Sequence, residues 1–417
     1  MEIHEYVDQM KEIYDSLLEI IGNDDINDID SAYQNFYYLI DSRQIKNDSE
    51  ELGELLKLIS KISNNHQRNR NFISKIEKIL INFSEQIKQS FSNFEIFQFF
   101  RKNKLILLSL FEHKIITVDD NIFEAIMSEK DNVKQTNEKT LLELVEAMDD
   151  DDFNEDQNND EENKIQQFHY RMYFYPEIKN FLSEEQKKAI EEEINNHDET
   201  ILNNFEEKRK KGENDSYICE LIRNDSIELF VAYCTRTNCS LNSKIKTSIF
   251  ETNLFLIKNE PTLIEYAAFF GSIQIFQYLK FNKVELKSSL WLYAIHSNNP
   301  ELIHLLEENK IEPPEKSYSK VLKESIKCHH NNIANYIKSN LINESDNVYQ
   351  IDGNYYGNIY SNSFQSHNYD FINEFINDKY VFFYLCEFNY IKLVRLFLAD
   401  ENIEINCQII KTVIFFK

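Results

Sequence analysis

The residues best suited to hold a cation are Asp150, Asp152, Asn154, Asp156, Asn158 and Glu161. They fall at positions 1, 3, 5, 7, 9 and 12 of a loop, the spacing at which oxygen ligands surround calcium in an EF-hand. Such a loop turns sharply on a glycine at its sixth position, where Glu155 stands, and Gln157 replaces the apolar residue of the eighth. An acidic linker accounts for the run more simply.

Cys328-His329-His330 offers three metal-binding groups in a row, with His296 and His304 elsewhere. Zinc needs four ligands converging on one point, and neighbouring residues on a helix diverge, so helix-end and solvent roles are expected. Lys208–Lys211 is a basic run that either addresses the nucleus or ends a helix before Gly212. Tyr349, Tyr355, Tyr356, Tyr360, Phe364, Tyr369 and Phe371 lie among Asn, Ser and Gly, as a binding loop or as an insertion packed on its neighbours. G-x-G-x-x-G, P-loop, H-E-x-x-H and G-x-S-x-G patterns do not occur. The expectation is no catalytic, cofactor-binding or metal-ligating residue, and no enzyme.

The elements that would position such groups are helical. The 417 residues include only 6 glycines and 5 prolines, which disfavours turn-rich β folds and phosphate-cradling loops. Net charge is −26, and −12 of it sits in 149–200, where 17 acidic residues face 5 basic ones. A chain so acidic repels phosphate backbones and anionic lipid heads. Six cysteines with irregular gaps and no C-x-x-C imply reduced thiols, in the cytoplasm or the nucleus. No signal peptide is apparent, and the longest apolar candidate, Leu105–Phe111, spans 7 residues, so membrane insertion is not expected.

Apolar residues recur at helical spacing along the N-terminal part. One stripe is Ile3, Tyr6, Val7, Met10, Ile13, Tyr14, Leu17, Leu18 and Ile21, with Gly22 placed for a left-handed cap. Others are Ala32–Ile40, Leu52–Ile62 and Phe72–Ile87; strict coiled-coil a/d spacing is not sustained. Ser183 and Gln186 form a capping box whose helix is expected to run to Lys211.

Farther along, one pattern repeats. The triplet Ile275, Phe276, Leu279 recurs as Leu302, Ile303, Leu306, as Ile333, Ala334, Ile337 and as Leu393, Val394, Phe397, with a weaker copy at Leu229, Phe230, Tyr233. Copies are separated by 46, 27, 31 and 60 residues, and the last gap holds about two periods. Each copy predicts helix, tight turn, helix. Thr262 and Glu265 suit a capping box, Gly271 the turn, and Asn299-Pro300-Glu301 a helix start. Ala267, Ala294 and Ser325 put small residues where paired helices approach. One unit cannot bury its apolar face alone, so neighbours must stack.

Ile264-Glu265-Tyr266-Ala267-Ala268-Phe269-Phe270-Gly271-Ser272, with Ile275, Phe276 and Leu279, resembles an ankyrin repeat. So does Leu393–Leu398 followed by Ile403–Asn406. Ser289–Pro313 and Leu322–Ile342 resemble the domain of unknown function that precedes ankyrin arrays in an expanded protist family. Glu265 occupies the position of the usual histidine, and the array stops at Lys417 soon after a new unit starts. The resemblance implies protein binding and brings no catalytic residues.

The expected fold is all-α: an N-terminal helical domain at 1–148, an acidic disordered linker at 149–163 and a helical connector at 164–212. Divergent ankyrin-like repeats follow at 213–345, an aromatic and Asn-rich insertion or repeat at 346–378, and a last, truncated repeat at 379–417. The expected function is a protein-interaction scaffold with no cofactor. Its partner is a protein, of basic character given the charge, rather than nucleic acid or membrane. Contact residues would be Asn282, Lys283, Glu308 and Asn309 at repeat tips, with Tyr355 and Tyr356. The alternative is a truncated or vestigial structural member without a partner.

Overall fold

Stripes of apolar residues at a 3.6-residue period become helices wherever the structure is defined. The computed structural model describes residues 2–23, 25–66, 71–127, 169–197, 204–342, 355–377 and 381–399. The acidic run at 149–163 with its calcium-like spacing, Tyr349 and the segment after Ala399 lie outside them. The described residues are all-α; beyond helices and turns they hold one isolated antiparallel bridge, Lys244 to Thr262. None of these helices is long and apolar enough to cross a membrane.

Contacts divide the described chain into two compact units, one of residues 2–79 and 317–399 and the other of 80–127 and 169–316. Residues 1–148 therefore contribute to both. In chain order, α1 (Ile3–Gly22), α2 (Ile26–Ser42), α3 (Ser49–Asn65) and α4 (Phe72–Asn82) come first. Next are α5 (Ser84–Ser90), α6 (Asn93–Phe100), α7 (Lys104–Glu112) and α8 (Asp120–Met127). After the undescribed stretch come α9 (His169–Tyr173), α10 (Tyr175–Ile178), α11 (Glu184–His197) and α12 (Phe205–Lys211).

The apolar stripe of α1 is buried from Ile3 to Ile21, apart from Leu18, which is half-buried. Its end differs from expectation. Gly22 stays in the last helical turn, and Asn23 beyond it is extended, so no left-handed glycine cap forms. Lys75 meets the carbonyls instead: its Nζ donates to the oxygens of Ile21 at 2.8 Å and Asn23 at 2.7 Å. A buried cation there also suits the negative end of the helix dipole.

The Ser183 capping box forms, with Gln186 N–H donating to Ser183 Oγ at 3.2 Å and Ser183 N–H to Gln186 Oε1 at 2.9 Å. The helix expected to run on to Lys211 is instead two, α11 and α12, because Asn204 before α12 takes a left-handed conformation (φ 65°). Gly212 then caps α12 as expected (φ 62°), its N–H reaching Lys208 O and Arg209 O. The basic run is internally engaged. Arg209 is buried between Glu177 and Glu206 at 2.6 Å each, and Lys208 and Lys210 pair with Asp215 and Glu112.

Beyond Gly212 the chain repeats one module. In the second unit, α13 (Tyr217–Arg223) pairs with α14 (Ile227–Thr237). After α15 (Leu254–Asn259), α16 (Leu263–Phe270) pairs with α17 (Ile273–Phe281), and α18 (Leu290–His296) with α19 (Pro300–Glu308). In the first unit, α20 (Ser319–Lys327) pairs with α21 (Asn331–Asn340) and α22 (Tyr355–Gln365) with α23 (Tyr369–Phe375). The last pair is α24 (Val381–Glu387) with α25 (Ile391–Ala399).

Within each unit the pairs stack with like helices side by side. α13 lies on α16 and α16 on α18, with α14 on α17; in the other unit α20 lies on α22 and α22 on α24. The triplets Ile275–Leu279, Leu302–Leu306 and Ile333–Ile337 are buried between neighbours, and so are Ala267, Ala294 and Ser325. The upstream copy departs from the pattern: Phe230 is buried, but Leu229 is 55% exposed and Cys234 takes the inward place expected of Tyr233.

One backbone device closes every pair. Asp225, Gly271, Asn298, His329, His367 and Asn389 are all left-handed, with φ between 46° and 68°. In five of these turns the next N–H returns to a carbonyl of the first helix. Ser226 bonds to Leu221, Ser272 to Ala267, His330 to Ser325, Asn368 to Ser363 and Tyr390 to Leu385, at 2.9–3.0 Å. That bond satisfies carbonyls a helix end would leave orphaned. The described part of the aromatic, Asn-rich segment, 355–377, follows the same rule. His367 is its turn, Ser363 its small residue and Phe371-Ile372-Phe375 its triplet, so α22 and α23 complete a pair.

Candidate interaction surfaces

Adjacent pairs are joined at their turns by side chains that follow the left-handed residue. Ser272 Oγ donates to the carbonyl of Ile222 in the preceding pair at 2.5 Å. Asn368 Nδ2 donates to Ile326 O at 2.9 Å, and the Tyr390 hydroxyl to Phe364 O at 2.7 Å. In all three the acceptor stands three residues before the preceding turn residue. Serine, asparagine and tyrosine thus do one job at one register position. The Asp225 carboxylate adds a second tie, accepting from Gln274 N–H at 3.0 Å and Ile275 N–H at 2.9 Å, where it caps the next pair's second helix.

In the unit of residues 2–79 and 317–399, α1 packs on α23 and α25, and α3 on α25. Each of the three turns there meets a side chain from α1 or α3. The Tyr14 hydroxyl lies 3.2 Å from His329 Nδ1. Asn331 Nδ2 donates to the same hydroxyl at 2.9 Å, so the phenol links the turn imidazole to the start of α21. Asn331 also donates to Asp370, which pairs with Lys11 at 2.7 Å, and Asn331 Oδ1 accepts from Asn368 at 2.8 Å. At the second turn, His367 Nε2 lies 3.8 Å from Glu54 Oε2 and its ring stacks on Tyr390 with centroids 4.6 Å apart. At the third, Lys57 Nζ donates to Asn389 O at 3.3 Å. Around the rim, Tyr6 donates to Glu51 at 2.9 Å, Lys392 pairs with Glu51 and Arg395 with Glu50.

Burial sets the charge state of this seam. It holds His329 and His367 well below the usual histidine range, with the cations of Lys61 and, for His367, Lys57 pushing the same way. It raises the Glu54 carboxyl against the opposing pull of Lys57, and it raises the phenols of Tyr6, Tyr14 and Tyr369. The seam therefore packs neutral imidazoles and phenols together, His329 hydrogen-bonded to Tyr14 and His367 held by burial and by its stacking on Tyr390. Cys328, His329 and His330 do not act as one group: Cys328 ends α20, His329 is the turn, and the His330 ring meets His66 edge-on at 4.7 Å.

The residues expected to touch a partner are spread over both units. Asn282 and Lys283 form an exposed tip after α17, next to Phe281, which is 86% exposed. Glu308 is exposed and Asn309 half-buried at the end of α19. Tyr355 and Tyr356 open α22. Tyr360, Phe364, Tyr369 and Phe371 are core residues, so the aromatic stretch serves packing there. Sequence reasoning missed the turn ties at Ser272, Asn368 and Tyr390. Their usable signal is position, one residue past each helix reversal.

The described residues define an all-helical protein whose helix pairs turn on left-handed residues. No protein-family model matches the chain, and neither a curated protein nor a solved structure matches it.

Proposed function

We propose that this chain is a non-enzymatic scaffold for protein binding, built from ankyrin-like helix pairs stacked as an α-solenoid. The recurrent module supports the reading: short pairs, one left-handed turn each, like helices side by side, and second helices ending in exposed tips. The single observation carrying it is the tip Phe281-Asn282-Lys283, where a large aromatic side chain stands in solvent at the end of α17. Exposed aromatics backed by rigid structure serve as contact anchors. With a net charge of −26, the favoured partner is a basic protein in the cytoplasm or nucleus.

The turns of α20–α25 are already engaged by α1 and α3. The pairs α13/α14, α16/α17 and α18/α19 are therefore the proposed binding part. The same engagement favours the second reading, a structural member whose helix pairs serve only its own fold. Immobilised full-length protein and a Phe281→Ala, Lys283→Glu variant, each probed with cell lysate, separate the two. A protein retained by the parent and lost from the variant supports the scaffold. Equal retention by both, or none above control, overturns it.

A further inference from the structure

The second helices end in a cap that forces two particular residues together. At the end of α17, Lys283 is left-handed and Val284 N–H donates to Leu279 O at 3.2 Å. At the end of α19, Lys310 is left-handed and Ile311 N–H donates to Leu306 O at 3.1 Å. In this six-residue cap the first and last side chains touch, and here both contacts are apolar pairs that bury themselves.

The first pair has the same cap with different chemistry. Asn238 is left-handed (φ 52°) after α14, and Cys239 N–H donates to Cys234 O at 3.0 Å. The two residues that the cap brings together are both cysteines, both reduced. A bond of that length between one residue's N–H and the other's carbonyl keeps their Cα atoms within about 7 Å, the span a disulfide bridges. Cys234 is buried and Cys239 half-exposed. Burial raises the Cys234 thiol to about 11, and the neighbouring Cys239 thiol, its hydrogen-bonding contact, adds to the rise. Cys239 Sγ also lies 3.6 Å from Ser240 O and 3.8 Å from Ser243 Oγ.

We propose that Cys234 and Cys239 are a redox-responsive dithiol that closes a disulfide across the end of α14 on meeting a small-molecule disulfide of the glutathione class. Cys239, the accessible thiol, loses its proton to water, and its sulfur attacks one sulfur of the small disulfide. That S–S bond breaks, and the departing thiolate takes up a proton. Cys234 then loses its proton, attacks the Cys239 sulfur of the mixed disulfide and releases the second small thiolate, which is protonated in turn. Two protein thiols are oxidised to one disulfide, and one small disulfide is reduced to two thiols. The cap already holds the sulfurs adjacent, so closure needs little movement of α14.

The test uses the full-length protein equilibrated with oxidised and reduced glutathione in varied ratio, acid-quenched, denatured, alkylated and mapped by peptide mass spectrometry. Cys234 and Cys239 are expected to lose alkylation together, in a peptide lighter by two hydrogens, while buried Cys219 and Cys328 stay alkylated. Cys234→Ser is expected to stop at a mixed disulfide on Cys239, and Cys239→Ser to leave Cys234 reduced. Circular dichroism confirms that both variants fold. Glutathione remaining on Cys239 of the parent without closure, or both thiols staying reduced where a thioredoxin-type control dithiol is oxidised, overturns the proposal.

Discussion

Glu54 and His367 lie 3.8 Å apart, both out of water, one on α3 and the other at the turn between α22 and α23. Each is displaced by burial toward its neutral form, the carboxyl upward and the imidazole downward. A proton arriving at this seam finds the Glu54 carboxylate already paired with Lys57 at 3.0 Å. It meets Lys57 and Lys61 nearby, and a second buried imidazole at His329.

Stability should consequently fall on acidification. A histidine whose folded pKa lies below its unfolded value of about 6.5 contributes fully above that pH and loses its contribution as pH drops, by about 1.4 kcal/mol per pH unit. Glu54, displaced upward, works in the opposite sense: it is a cost at neutral pH and returns stability as it is protonated. Each histidine loses at most about 1 kcal/mol between about pH 6.5 and 5.5, so the two outweigh one carboxyl with an expected net loss of about 1–2 kcal/mol. Urea midpoints measured at both ends of that window check this. A flat profile in the parent, or an unchanged slope in a His329→Asn, His367→Asn variant, contradicts it.

Two glycines should respond unequally to alanine. Both are left-handed, so any side chain is strained at either position. At Gly271 an added methyl group would meet nothing closer than Ser297 Cβ at 3.4 Å, and the cost should stay near 1 kcal/mol. At Gly212 it would stand 2.5 Å from Leu105 Cδ1 in a buried contact, which adds an overpacking cost of about 1–3 kcal/mol. Thermal unfolding of Gly271→Ala and Gly212→Ala should rank them in that order.

The turn ties predict a small, specific loss. Tyr390→Phe deletes only the hydroxyl that reaches Phe364 O and keeps the ring against His367. The buried carbonyl keeps the His367 N–H at 3.1 Å and loses one of its two hydrogen bonds, at a cost of about 0.5–1.5 kcal/mol. Tyr217→Phe, at an exposed ring, should leave the urea midpoint within error. Equal midpoints for both variants would mean that the tie adds nothing.

Parts of this structure were readable in the linear pattern. The pairs at α16/α17 and α18/α19 announce themselves through Gly271, Asn299-Pro300 and apolar triplets at constant offset. Trp291, aligned with Ile264, is buried as that register requires, and its indole N–H donates to Ile311 O. The pair α22/α23 was harder to read because His367 fills the turn position where glycine or asparagine is the usual sign. The seam could not be read at all. Tyr14 and His329 stand 315 residues apart, and no local period marks a partner at that distance. The histidines read as isolated groups become a set only when α1 and α3 lie on three successive turns.

Lys75 offers the sharpest test of how α1 ends. The residue is buried, and its ammonium donates to two carbonyls at that terminus, Ile21 O and Asn23 O, while its own carbonyl accepts from Tyr33 Oη at 3.0 Å. Lys75→Met keeps the aliphatic length and the backbone bond to Tyr33 but removes the cation from the negative end of the dipole. One buried and one half-buried carbonyl then lose a charged donor, an expected cost of about 2–3 kcal/mol. Lys46→Met removes a surface pair with Asp41 and should cost less than about 1 kcal/mol. Chemical denaturation of the two variants measures the difference. If Lys75→Met matches Lys46→Met, water satisfies these carbonyls and Lys75 adds nothing to the end of α1.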